Sequence, residues 1–488
     1  MTTTVVLLNN IRGENGQPWK AGDTKTCSDA FADMLIGRGD AYDASGARAD
    51  VAPVSGAGKR VTPVRIATIG DSTSDLNSTT HDISVFTGAS GSLSPEKCQL
   101  INLYPQAYAV GNGGIGGQTT TQILARDATA TSTSRKAIQD IIDMRPDVVL
   151  LRGGSINNIS GATTATVSGL IATDYAEHCQ IINKFLAAGI PVLDSGIYGY
   201  SGSGTEPATV RSALMQLEAM FDAYAAQFPG RVFRPSWTGV LRDSTGAFLP
   251  NVVLADGQGV HLSFYGQYLA SQWEASVLTQ LFGASSGPRY RGPNLLKNAA
   301  TATNGGNNQF ASTTTAGIGT FPTGFTWGTS GAGGTRANGK VETIDGRLWA
   351  TMEFTPVATG GLTCYMPLDA TNWTTAANDI WAVEFDLFFK PLSGSSVPLS
   401  GMLVQWDWND GSARTITSMQ ISQAFTWPTA DGWVGRVVMQ PTLLNGANTS
   451  PEIFVRISIA DTTPIKAGIS APRLVKLGTT STWPPVAA

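Results

Sequence analysis

The stretch Val64-Arg65-Ile66-Ala67-Thr68-Ile69-Gly70-Asp71-Ser72-Thr73 decides how the rest of the chain is read. Its first six residues form a short, largely apolar run with β-branched members, the pattern of a buried strand. Gly70-Asp71-Ser72 then reads as a tight turn that leaves the serine hydroxyl exposed at the strand's end. In an α/β sheet, sites form at the carboxyl ends of the strands. Around this stretch, strand and helix signals alternate from residue 62 to about 284. Strands are expected at 64–69, 107–111, 147–152, 190–194 and 231–234. Helices are expected near 119–127, 135–143, 170–188, 208–227 and 265–282. Such alternation predicts a parallel sheet covered on both faces.

On either side of this segment the texture changes. Residues 1–60 read as a small α+β unit with its linker. Thr3 to Asn9 forms a strand, Gly13-Glu14-Asn15-Gly16 a turn, and Ser28 an N-cap for a short helix over Ala30 to Gly37. Val51 to Lys59, rich in Gly, Pro and Ala, reads as the linker. The central domain is expected over 61–284 and a third unit over 285–488. In that last unit helical patterns vanish. Alternating runs such as Trp381 to Phe389 and Ile453 to Ile459 are separated by Gly, Asn, Asp and Pro, the signature of an antiparallel sandwich.

The 488 residues allow about three domains. Apolar residues make up 42%, enough for real cores, whereas charged residues are only 14% and the net charge is −4. A neutral surface rich in Ser, Thr, Gly and Ala offers no electrostatic footprint for nucleic acid and no polybasic run for a membrane surface. Four cysteines, Cys27, Cys98, Cys179 and Cys364, lie far apart, which argues against a zinc ribbon or a disulfide framework. Cys179 reads as a small buried hydrophobe. The start Met1-Thr2-Thr3-Thr4-Val5-Val6-Leu7-Leu8 lacks the basic n-region of a signal peptide, and no apolar run approaches the ~20 residues of a membrane span.

Serine is a weak nucleophile until a base takes its proton and donors meet the oxyanion that forms. Three further segments offer those groups. Gly111-Asn112-Gly113-Gly114-Ile115-Gly116-Gly117-Gln118-Thr119 follows the second strand, where glycines let a backbone N–H turn toward a ligand. Gly153-Gly154-Ser155-Ile156-Asn157-Asn158 follows the third, with asparagine amides as donors. Asp256-Gly257-Gln258-Gly259-Val260-His261-Leu262-Ser263 precedes the last helix; His261 is the candidate base and Asp256 the group that holds its other nitrogen. The order Ser, Asp, His is that of one α/β-type triad.

In these four blocks, spread over about 220 residues, the chain resembles the SGNH, or GDSL, hydrolase superfamily. The resemblance implies a three-layer α/β/α domain and esterase, lipase, acyltransferase or deacetylase chemistry without metal or cofactor. It implies Ser72 as nucleophile and His261 as base. The oxyanion hole would combine the Ser72 N–H, Gly117 and Asn157. Two departures stand out. The family's aspartate lies three residues before the histidine, where this chain has Gln258; Asp256 lies five before, flanked by Gly257, and Gln258 or a backbone carbonyl is the alternative partner. The family's Gly-x-Asn-Asp block is irregular here, leaving Asn158 as the runner-up donor.

Other features are read more plainly. The Gly111–Gly116 run also fits Gly-x-Gly-x-x-Gly, but it follows the second strand rather than opening the first βα unit. His178 reads as a packed or surface residue in mid-helix and His81 as part of a solvated loop. Asp71 is taken as the turn's own cap or a substrate contact. Trp406 and Trp408 share one face of a strand and are candidates for stacking on sugar rings, with core packing the competing reading. Asn294-Leu295-Leu296-Lys297-Asn298 resembles the opening of jelly-roll, carbohydrate-binding-type domains. The N-terminal unit is similar to small domains at the front of some bacteriophage structural proteins. The combined expectation is a tail-fibre or tailspike esterase, homotrimeric in the virion, that removes acyl groups, above all O-acetyl, from a bacterial surface polysaccharide. The alternative is a receptor-binding adhesin whose hydrolase-like domain is inactive.

Overall fold

A computed structural model describes residues 2–7, 11–12, 18–19, 24–28, 41–43, 64–75, 103–104, 106–126, 137–202, 206–254, 257–284, 312–315, 319–322, 326–331, 333–367, 376–409, 414–421, 425–438, 442–444 and 452–479. The central domain runs β1 (Val64–Gly70), α1 (Ser72–Asp75), β2 (Ala107–Gly114), α2 (Thr120–Ala125), α3 (Ile138–Asp143), β3 (Val148–Arg152), α4 (Ser155–Ile159), α5 (Val167–Ala187), β4 (Val192–Asp194), α6 (Pro207–Ala225), β5 (Val232–Phe233) and α7 (Phe264–Phe282). The five strands form one parallel sheet in the order β5-β4-β3-β1-β2.

The two-residue period of the strands decides what covers each face. Val64 and Ile66 of β1, with Val148 and Leu150 of β3, pack against Ala275, Val277 and Leu278 of α7. Their alternates Ala67, Ile69, Val149 and Leu151 pack on the other face against Ile138 and Ile141 of α3 and Ile181, Ile182 and Phe185 of α5. The result is the three-layer arrangement that alternation predicts. β2 runs three residues further than the sequence indicates, because Gly111 to Gly114 continue pairing with Ala67 to Gly70. The glycine run is therefore strand, not a phosphate-binding turn. Asn112 within it is buried and accepts a bond from the Thr68 hydroxyl at 2.9 Å. Cys179 is buried against α6, and burial pushes its thiol up to about 11.

Beyond the central domain, two sheets face one another, of eight and six strands among the described residues, antiparallel but for the pairing of Gly319–Pro322 with Gly334–Ile344. Trp381, Val383, Phe385, Leu387 and Phe389 from Asp379–Pro391 meet Met402, Val404, Val455 and Ile457 of the opposite sheet in one core. At the other end of the chain, Thr2–Leu7 lies between Thr24–Ser28 and Ala41–Asp43 in a three-stranded antiparallel sheet. Ser28, read as an N-cap, is the last residue of a strand, and the helix expected over 30–37 lies outside the described residues. Among the described residues no helix is long and apolar enough to cross a membrane.

Candidate active site

β1 ends at Gly70, and its backbone is pinned on both sides. Asp71 N–H donates to the Arg152 carbonyl of β3 at 3.2 Å, and Ile115 N–H after β2 donates to the Gly70 carbonyl at 3.1 Å. Ser72 opens α1, half-buried, at the carboxyl edge of the sheet. Its N–H, at the first position of a helix, has no intrahelical acceptor and meets none elsewhere among the described residues.

The imidazole arrives from far along the chain. Leu254 N–H donates to the His261 carbonyl at 2.8 Å, and Ser263 N–H donates to the Val252 carbonyl at 2.8 Å. Ser263 then caps α7, its hydroxyl accepting from Gly266 N–H. Held between that bridge and the helix start, His261 is buried and places Nε2 2.9 Å from Ser72 Oγ. In the Nδ1-protonated tautomer, Nε2 accepts the hydroxyl proton, the geometry that general-base activation requires. The turn before it depends on glycine. Gly259 has φ +67°, and a Cβ there would lie 2.5 Å from the Gly202 backbone. Asp256 lies outside the described residues, and Gln258 is exposed.

Asp71 corrects its sequence reading as a substrate contact. The side chain is fully buried, and its oxygens bond to the protein. Oδ1 accepts from Thr73 N–H and the Thr73 hydroxyl, both at 2.9 Å. Oδ2 accepts from Gly154 N–H at 2.7 Å and Asn157 Nδ2 at 2.8 Å. Burial pushes the Asp71 carboxyl above its ordinary range, opposed by the bonds from Gly154 and Thr73 and by nearby His261. Gly153 permits this close approach; at φ +76° its Cβ would lie 2.0 Å from Asp71 Oδ1.

The structure brings Asn157 to the Ser72 turn. Its Nδ2 donates to Asp71 and, at 2.9 Å, to the Gln118 carbonyl. Gly117, next to Gln118, is exposed, and its N–H meets no acceptor among the described residues. Two hydrogen bonds from the Asn157 amide thus tie the Asp71-Ser72 turn to the Gln118 carbonyl, one residue beyond Gly117. Asn158 is committed elsewhere, its Nδ2 bound to Thr120 Oγ1 and Asp174 Oδ1 on the α2–α5 side. Trp406 and Trp408 sit on the strand Val397–Asn409, opposite Thr417 and Thr415, and their side chains lie outside the described part. His81 also lies outside it.

Sequence reasoning missed a polar cluster behind the site. His178 is buried on α5, stacked on Phe221 at 4.1 Å between ring centroids, with Nε2 3.0 Å from Asp194 Oδ2. Arg234 bridges Asp194, Glu218 and Asp222. Burial alone would raise the Asp194 carboxyl, but Arg234 and His178 outweigh it and hold the group well below the usual carboxylate range. A cavity lined by Thr73, Ser155, His178, Tyr198 and Val260 adjoins this cluster near the Ser72 turn. Only the coupling of three separate helices and loops creates it, so no local motif announces it.

No family model matches the sequence, and no curated protein matches it. Among solved structures, a GDSL-like lipase from Bacteroides thetaiotaomicron is 15% identical, with TM-score 0.30, covering 44% of this chain and 87% of that one. An acetylxylan esterase from Geobacillus stearothermophilus is 16% identical, with TM-score 0.30, covering 48% of this chain and 100% of that one. A structure of carbohydrate-binding modules of the β-sandwich superfamily is 13% identical, with TM-score 0.23, covering 33% of this chain and 58% of that one. Likenesses of this size bear on neither substrate nor mechanism; the chemistry rests on the side chains themselves.

Proposed function

We propose that the chain is a serine ester hydrolase that removes acyl groups, O-acetyl above all, from a bacterial surface polysaccharide. The observation that carries the reading is the 2.9 Å contact between His261 Nε2 and Ser72 Oγ at the carboxyl edge of a parallel sheet. Ser72 Oγ attacks the ester carbonyl carbon while its proton passes to His261 Nε2. The oxyanion is met by the N–H groups of Ser72 and Gly117 and by Asn157 Nδ2, which exchanges its Gln118 acceptor for the developing charge. Collapse breaks the bond to the sugar oxygen, which leaves with the proton from His261. Water then attacks the acyl-serine, His261 takes its proton, and the carboxylic acid departs as Ser72 is restored. We assign Asp256 to hold the imidazole, with Gln258 as the alternative.

The neutral, hydroxyl-rich composition and the tryptophan-rich sandwich support a polysaccharide as substrate. The resemblance of the N-terminal unit supports a tail-fibre or tailspike setting, with a trimer as the assembly that suits it. Turnover of p-nitrophenyl acetate should be lost in Ser72→Ala and His261→Gln. Equal rates in wild type and Ser72→Ala would end the proposal and leave the adhesin reading. Acetate release from a panel of O-acetylated capsules and O-antigens identifies the polymer. Asp256→Ala should lower kcat well below Gln258→Ala; the reverse would move the orienting role to Gln258.

A further inference from the structure

Helix α7 begins three residues after His261 and carries one charged residue in nineteen, Glu274. Gln272, Ser276, Thr279 and Gln280 form its exposed stripe, and most of the remaining residues are buried or half-buried. One face of α7 covers the parallel sheet through Ala275, Val277 and Leu278. Its first turns enter the β-sandwich. Phe264 belongs to the sandwich core, with its ring 5.0 Å from Phe425, 5.9 Å from Trp427 and 6.1 Å from Trp433. Tyr265 and Tyr268 each meet Trp427 edge-on at 5.1 Å.

Trp427 is itself fixed. It is 2% exposed, Nε1 donates to the Gly432 carbonyl at 2.7 Å, and Phe389 packs against it at 6.0 Å. The start of α7 therefore has two supports, the Val252–Leu254 bridge on the central domain and a three-ring grip on Trp427 from the sandwich.

We propose that Trp427 is a positioning residue for His261, acting through Phe264, Tyr265 and Tyr268, so that the sandwich is part of the catalytic scaffold and not an appended module. The inference rests on the hydrolase reading. A helix start that shifts by a fraction of an ångström moves the imidazole off a 2.9 Å contact, and small misplacements of a catalytic group cost rates on the order of a hundredfold.

The experiment uses the full chain. Trp427→Ala should lower kcat for p-nitrophenyl acetate by about ten- to a hundredfold with KM little changed, and Trp427→Phe should restore most of it. Ile457→Ala, which thins the sandwich core at a residue with no ring contact to α7, controls for general destabilisation; it should lower the melting temperature and leave kcat unchanged. Should Trp427→Ala not fold, Tyr268→Leu weakens the same contact from the helix side. The second readout needs no turnover. The NMR titration midpoint of His261, identified as the signal lost in His261→Gln, should move in Trp427→Ala and stay in Ile457→Ala. If wild type and Ser72→Ala turn over equally, the hydrolase reading fails, and this titration still decides whether Trp427 positions His261. An unmoved kcat and midpoint in Trp427→Ala, or equal losses in Ile457→Ala, overturn the inference.

Discussion

At Asp71 a single carboxylate ties the Ser72 turn to Gly154 and to Asn157 of α4. All its bonds run to the protein, so its removal acts on geometry rather than on substrate affinity. Asp71→Ala should lower kcat on the order of a hundredfold with KM nearly constant, measured by steady-state hydrolysis of a p-nitrophenyl ester. Asn157→Ala should raise the barrier by about 3 kcal/mol, the usual loss for one oxyanion donor. Asn158→Ala should keep its rate, because Thr120 and Asp174 already hold that side chain. The sequence could not separate these two neighbours. Both stand in one turn with the same chemistry, and only the direction of each side chain distinguishes them.

At the scale of elements, β3 and α7 are joined by a buried pair. Arg152 Nε lies 3.0 Å from Glu274 Oε1, and both side chains are at most 1% exposed. Removing one partner leaves the other charged and dry, so Glu274→Ala should destabilise the fold by about 3–5 kcal/mol in urea unfolding. The Asp194 cluster joins α5, β4 and α6 and has a pH signature. The Asp194 carboxyl is held below its unfolded value, so the unfolded chain binds more protons in acid. Its stabilisation is fully present above the ordinary carboxylate pKa of about 4. It is lost as the pH falls through the lower folded value. The melting temperature should drop between pH 5 and 3 in wild type and more shallowly in Asp194→Asn. The existence of these elements was legible, since each strand and helix carries its own period. β2 outruns its sequence signal because the stretch Gly111 to Gly114 carries little β-propensity of its own; pairing with β1 makes it strand.

Across the whole molecule, α7 couples the two larger domains. A chain ending at residue 284 would bare Phe264, Tyr265 and Tyr268, which now pack on the sandwich. It should associate, seen as light scattering at micromolar concentration, and turn over ester more slowly than the full chain. By itself the sequence determined the layered α/β domain, the all-β unit after it and the residue types that converge on Ser72. Those follow from local periodicity, glycine turns and the needs of the chemistry, all written within short windows. Tertiary structure alone decided that Asp71 is buried under the Ser72 turn, that Asn157 rather than Asn158 bonds it, and that the sandwich grips the helix behind His261. Each of these depends on which surfaces meet across scores of residues, as between Asp71 and Gly154, 83 positions apart. Such meetings are fixed by packing of the whole chain and leave no mark in any one segment.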